Sequence, residues 1–279
     1  MMFESAGPPD TPGEALAYGD PVDTDAVLKL LQDVAAEVIN PRFRALSDEQ
    51  VSEKNPGDLV TVADHESEAL ITAALQAAYP DAVVLGEEAM ADDPSLLTRF
   101  NAATHGFTVD PVDGTKNFVH GSPDHAVMVS ETQSGEVTRA WIWQPQHEAS
   151  YVAERGAGAR RNGEPLHVRA SGGAPYRTAR RAWVGRELAA LGTLELTWAC
   201  CGVDYPHLIA GDAAALVYSR SMPWDHLPGA LILTEAGGVI GGHDGASIDP
   251  CGLEGGLVAA PDRATYDAVV AALPALSSA

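Results

Sequence analysis

Six consecutive residues, Asp110-Pro111-Val112-Asp113-Gly114-Thr115, constrain this chain more than any other segment. They follow Gly106 to Val109, a short apolar run between turn formers that reads as a buried strand, so Asp110 stands at a strand end. Pro111 fixes φ and turns the chain, and Gly114 permits the tight backbone that brings Asp113 back beside Asp110. The same turn can present the Val112 carbonyl, an uncharged oxygen suited to a hard cation. Two carboxylates facing one spot repel, so either one takes up a proton or a cation joins them.

Two further acidic words extend the pattern. Gly86-Glu87-Glu88 follows the apolar run Ala82 to Leu85, and Trp224-Asp225 opens a predicted helix. No Lys or Arg is evidently paired with these acids, and no His/Cys ligand spacing accompanies them. Glu87, Glu88, Asp110, Asp113 and Asp225 therefore point to oxygen-binding metals, magnesium or manganese, and away from zinc. Such ions clamp a phosphate, activate water and stabilise a leaving oxygen. Each word alone also has a plainer reading: Glu87-Glu88 as a solvated pair, Asp113-Gly114 as a turn, Asp225 as a helix-dipole partner, Asp64 as part of a capping box. Lys54 alone reads as a surface lysine, Cys200-Cys201 as a buried apolar pair, and His65 and His226 as structural or surface residues.

Composition narrows the function classes. With 17 Lys plus Arg against 39 Asp plus Glu, the formal charge is -22, which repels nucleic acid and anionic lipid. No run reaches the roughly 18 to 20 apolar residues of a membrane span. Met1 to Asp20 lacks the basic start and apolar stretch of a signal peptide. Three cysteines, two of them adjacent, build neither a disulfide framework nor a four-ligand zinc site, and a reducing cytoplasm fits.

Periodicity supplies the outline. A flexible leader is expected over 1–22 and one domain over 23–279, with subdomains of about 23–172 and 173–279 meeting near Gly172-Gly173. A helix is predicted from Asp23 to about Leu46, with Asn40-Pro41 as a possible kink, and a second after the capping box Thr61-Val62-Ala63-Asp64, ended by Pro80. Residues between Leu85 and Gly106 read as a polar connection. Ala126 to Val129, Val137 to Trp143 and Ser150 to Ala153 read as antiparallel strands, with Asn162-Gly163 a hairpin turn. Beyond Gly173, strands at Leu194 to Trp198, Ala215 to Tyr218 and Leu257 to Ala260 alternate with helices at Asp204 to Ala210, Asp225 to Ala236 and Thr265 to Leu273.

Taken in order, these words resemble the inositol monophosphatase family, within the lithium-sensitive, metal-dependent sugar phosphatases. The resemblance runs from about Asp25 to Leu273. It covers Lys54, Asp58 to Asp64, Gly86-Glu87-Glu88, Asp110 to Phe118, Arg155 to Ala159 with Asn162-Gly163, and Trp224-Asp225 followed by Thr234 to Gly238. It implies an α+β fold, a layered α-β-α-β-α sandwich of the inositol monophosphatase/fructose-1,6-bisphosphatase type, and a homodimer. It also implies two or three Mg2+ ions, with Mn2+ as a substitute, held by Glu87, Asp110, the Val112 carbonyl, Asp113 and Asp225. Asp64 and Thr115 would position the attacking water, Glu88 would support the metal shell, and the Gly114 and Thr115 amides would receive the phosphate.

The implied activity is hydrolysis of a small phosphate monoester, inositol-phosphate-like or a sugar phosphate, by in-line attack of metal-activated water. Where inositol-specific members have a Glu that contacts ring hydroxyls, this chain has Tyr218, and their Gly-Ser/Thr-Ala-Ala stretch reads Ala199-Cys200-Cys201-Gly202. Histidinol phosphate and 3'-phosphoadenosine 5'-phosphate therefore stand as alternative substrates, with Tyr218, Ser219 and Arg220 as candidate contacts. A different class of role, as a protein partner of transcription or RNA-processing machinery, is also known among relatives. A haloacid-dehalogenase-type phosphatase is disfavoured because the aspartates stand three apart, with Pro after the first, in mid-chain.

Overall fold

The computed structural model describes residues 23–246 and 255–277, so the leader expected over 1–22 lies outside the described residues. Asp23 caps α1 (Thr24–Val34) by accepting from the Asp25 amide, and Val27, Leu30, Leu31 and Val34 bury one face of it. The helix does not continue in one piece to Leu46. It widens into a π turn at Ala35–Ile39 and tightens into a 3-10 turn at Asn40–Arg42, where Pro41 has no N–H to donate. A hairpin of β1 (Val51–Asn55) and β2 (Asp58–Thr61) then leads into α2 (Val62–Ala78).

After β3 (Val83–Gly86), the stretch read from sequence as a polar connection forms two short helices, α3 (Glu87–Asp92) and α4 (Ser95–Ala102). Leu96 and Phe100, four residues apart, bury the inner face of α4. Six and eight residues are too few for the helical period to stand out. β4 (His105–Asp113) and the single turn α5 (Thr115–Val119) follow, then β5 (Ala126–Gln133), β6 (Glu136–Gln144), β7 (Ala149–Glu154), β8 (Gly158–Arg161) and β9 (Glu164–Leu166). These strands form one sheet in the order β3-β4-β5-β6-β7-β8-β9, parallel only between β3 and β4. Asn162 and Gly163, both at positive φ, make the β8–β9 turn, as the Asn-Gly pair predicts.

The rest of the chain builds a second sheet. Its elements are β10 (Tyr176–Thr178), β11 (Leu194–Leu196), α6 (Cys201–Ala210), β12 (Ala215–Tyr218), α7 (Pro223–Glu235), β13 (Val239–Gly242), β14 (Leu257–Ala260), α8 (Arg263–Ala272) and α9 (Pro274–Ser277). The order is β11-β10-β12-β14-β13, with β10 parallel to both β11 and β12. The strand at Leu194 ends at Leu196, two residues short of the predicted Trp198, and α6 begins at Cys201, three residues before the predicted Asp204.

Strand alternation assigns the layers. On β5, Val127 and Val129 pack with α1 and α2, while Ala126 and Met128 face α6 and α7; on β6, Trp141 takes the first side and Ala140 and Ile142 the second. α6 and α7 also pack on the second sheet, whose far face buries Val217, Val258 and Ala260 against Tyr266 and Val269 of α8. The result is α1/α2, sheet, α6/α7, sheet, α8: the α+β, five-layer α-β-α-β-α sandwich that the family resemblance implies.

Candidate active site

The central acidic word is a bulge. On β4, Asp110 pairs with Met128 and Asp113 with Ala126, so three steps on one strand match two on the other. The extra residue bends β4 and turns both aspartates toward the same end of the sheet. Gly114 follows with φ +79, and a Cβ there would meet the Cys200 Cβ at 2.9 Å and the Asp124 carbonyl at 3.0 Å. Only glycine fits that crossing.

Asp64 arrives from another direction through the predicted capping box. Thr61 donates to its Oδ2 from the backbone N–H at 2.8 Å and from the hydroxyl at 2.5 Å, while the Thr61 hydroxyl accepts from Ala63 N–H. The other oxygen, Oδ1, lies 3.1 Å from Thr115 Oγ1, which is also 3.0 Å from the Val112 carbonyl. Asp64 thus caps α2 and joins the site at once. Burial pushes its carboxyl up to about 7, against the two Thr61 donors.

Glu87 and Glu88 sit at the start of α3, which Glu68 of α2 ties down by accepting from the Glu88 and Ala89 amides, both at 2.8 Å. Lys54 of β1 donates to Oε1 of Glu87 at 2.7 Å and to Oε1 of Glu88 at 2.9 Å. This corrects the reading of Lys54 as a surface residue and of the acids as lacking a cationic partner. Burial alone would lower the Lys54 pKa, but the two carboxylates reverse that and hold it charged. Neither Lys54 nor Glu68 carries a motif of its own.

Asp113 is held by the segment opposite. The Cys200 thiol donates to its Oδ2 at 3.0 Å and the Gly202 amide to the same oxygen at 2.5 Å. Cys200 is therefore a hydrogen-bond donor to a site acid, and the apolar-pair reading holds only for its burial. Asp225, in the first turn of α7, completes the group. Burial and mutual repulsion raise Asp110 and Asp225 well above the usual carboxylate range; burial raises Asp113 to about 6, restrained by hydrogen bonds from Cys200, Gly202 and the Gly114 backbone. Burial also raises Glu87.

Tyr218 borders the adjoining cavity, and its hydroxyl donates to Oδ2 of the buried Asp204 at 2.9 Å. Asp204 also accepts from the Trp198 amide at 2.8 Å. Ser219 and Arg220 border the cavity with greater exposure. His226 is buried against Tyr205, in keeping with a structural role.

The donor set fits hard divalent ions. Asp110 Oδ1 and Glu88 Oε2 are buried with no hydrogen-bond partner among the described residues, and all four carboxylates nearest one another are more basic than usual because of burial and their shared charge. Among the described residues no three His, Cys, Asp or Glu side chains already stand as ligands around one point. Glu87 Oε1 already accepts from Lys54, and its second oxygen has no partner among the described residues.

Comparison with known proteins decides the family. The model of the inositol monophosphatase family matches residues 20–278. The chain belongs to that family. A Pseudomonas aeruginosa relative, Nus factor SuhB, is 31% identical over 229 residues, covering 76% of this chain and 82% of that protein. The inositol-1-monophosphatase of Rhizobium meliloti is also 31% identical, over 214 residues, covering 70% and 76%. Among solved structures, the Thermotoga maritima IMPase superposes with a TM-score of 0.77 at 24% identity, covering 91% of this chain and 97% of that one. This inositol monophosphatase family member is a phosphatase acting on phosphate monoesters, and the family works with divalent metal ions. None of its helices among the described residues is long and apolar enough to cross a membrane.

Proposed function

We propose that this phosphatase is a Mg2+-dependent phosphomonoesterase that hydrolyses a small phosphate monoester by direct in-line attack of water, with no phospho-enzyme. Glu87, Asp110, the Val112 carbonyl, Asp113 and Asp225 would hold two or three ions. When bound, the ions neutralise the acids, bind phosphate oxygens and make water a better nucleophile.

The chain's own contribution centres on Asp64 and Thr115, and their contact carries the proposal. A hydroxyl has one hydrogen and two lone pairs, so Thr115 donating to Asp64 leaves a lone pair to orient a water. With Oδ2 taken up by the two Thr61 donors, Asp64 would take the proton through Oδ1, which accepts from Thr115. The Gly114 and Thr115 amides would receive the phosphate, as the resemblance implies. The bulge brings Asp110 and Asp113 to one end of the strand, and Cys200 and Gly202 engage Asp113 Oδ2, which would leave Oδ1 for an ion.

The test is phosphate release from inositol phosphates, sugar phosphates, histidinol phosphate and 3'-phosphoadenosine 5'-phosphate, with magnesium, with chelator and with lithium. Magnesium-dependent, lithium-inhibited release that Asp110→Asn abolishes is the expected outcome. Full turnover by the Asn variant refutes the site assignment. The relative named as a Nus factor favours a second role as a protein partner, which binding by the chelated, inactive chain would support.

A further inference from the structure

Three neighbouring strands of the second sheet end at one edge. β11, β10 and β12 are parallel, with Thr178 in register with both Leu196 and Val217, and ligands of open sheets gather beyond the carboxyl ends of such strands. Arg181 follows the end of β10 and Arg220 the end of β12, so adjacent strands deliver two guanidinium groups to the same place. Both border a cavity of about 290 Å³ that also includes Asp113 and Asp225. The aspartates are the more buried and the arginines are exposed, which puts the acids at the floor and the cations at the rim.

Neither arginine has an ion pair or a side-chain hydrogen bond among the described residues. Lys29, Arg42, Arg99 and Arg177 do pair with acids (Asp33, Glu66, Asp93 and Glu195), whereas Arg181 and Arg220 belong with Arg161, Arg169 and Arg180, which also have neither an ion pair nor a side-chain hydrogen bond among the described residues. Only Arg181 and Arg220 of these five border the cavity that holds the acids. Arg220 lies close enough to Asp225 for its charge to be felt, yet beyond ion-pair distance. Planar guanidinium groups left open in this way suit the oxygens of a carboxylate or phosphate. In the proposed reaction the cleaved phosphate is held at the floor by the ions on the acids, which leaves these two arginines for another group.

We propose that Arg181 and Arg220 form a subsite for a second anionic group on the substrate, so that the preferred esters carry a carboxylate or another phosphate on the part that leaves. This rests on the phosphatase reading above. It predicts that a neutral polyol monophosphate is a poor substrate and that selectivity falls with ionic strength, since exposed charges are screened.

The experiment compares kcat/KM of the magnesium-loaded full chain for inositol 1-phosphate, 3-phosphoglycerate and fructose 1,6-bisphosphate, in the native chain and in Arg181→Gln, Arg220→Gln and the double variant. The native chain is expected to favour one or both doubly anionic esters by about tenfold or more, as charged hydrogen bonds of this kind allow. Each single variant should lower the ratio of doubly anionic to neutral turnover severalfold, chiefly through KM, and the double variant should abolish it. Preference for 3-phosphoglycerate identifies a carboxylate subsite, and preference for the bisphosphate a phosphate subsite. Equal turnover of all three esters, or a ratio unmoved by the variants, overturns the inference and leaves the phosphatase reading standing. No phosphate released from any ester, p-nitrophenyl phosphate included, refutes the phosphatase reading and this inference with it.

Discussion

Glu131 on β5 is buried between β4 and β6, and replacing it with Gln tests the electrostatic argument quantitatively. Its carboxylate accepts from His105 Nε2 at 2.8 Å, from Arg139, from Thr138 at 3.2 Å and from Gln133 at 3.2 Å. Burial pushes its pKa up, but His105 and Arg139 win and hold it at about 2, against an ordinary 4.5. That difference corresponds to about 3 kcal/mol in favour of the folded, charged state. Because the folded value is the lower one, the contribution is complete above pH 4.5 and drains away as pH falls toward 2. By this arithmetic about 2 kcal/mol of it has gone by pH 3. Urea unfolding of the native chain and of Glu131→Gln, at pH 7 and at about pH 3, measures the effect. The stability gap between them should be about 3 kcal/mol at neutral pH and narrow by about 2 kcal/mol on acidification. A gap that stays constant over that range refutes the reasoning. The network also ties together the strand whose other end carries Asp110 and Asp113.

Other substitutions probe the site directly. Cys200→Ala removes a donor from Asp113 and should raise the magnesium concentration for half-maximal activity severalfold, with Cys200→Ser restoring it; identical metal titrations for all three proteins would deny the thiol any positioning role. Lys54→Gln leaves Glu88 buried without its cation, which should cost about 3 kcal/mol in urea unfolding without metal, since removing one partner of a buried pair strands the other charge. Tyr218→Phe removes a donor from Asp204 and should cost about 1 to 2 kcal/mol of stability in the same assay.

Much of the architecture was legible because local signals and tertiary packing agree. The capping box at Thr61 works as its residues predict, since every atom it needs lies within one turn of helix. The β5 and β6 strands declare their two faces through a period of two. The acidic words could be placed on strand ends and helix starts for the same reason. What escaped were contacts made between elements distant in sequence. Lys54 reaches Glu87 and Glu88 across more than 30 residues, and Cys200 reaches Asp113 across 87, with no spacing rule to reveal either. Asp204 likewise looks like any acid in a helix until Tyr218 and the Trp198 amide are folded against it. α3 and α4 were missed because helices of six and eight residues owe their formation to packing under the sheet and to the Glu68 anchor, more than to propensity.

The two sheets divide the labour of the enzyme. The seven-stranded sheet and the helices entering from it carry Asp64, Glu87, Asp110, Asp113 and Thr115, while strand ends of the five-stranded sheet carry Arg181, Thr197, Ser219 and Arg220. Asp225 alone joins the acids from the second side. If that rim selects the substrate as proposed, it can be exchanged on loops that share no backbone with the bulge or the capping box. A lineage could change diet by redrafting one rim while the hydrolytic floor was inherited intact, and a protein engineer could mutate that rim in a library that leaves every acid in place.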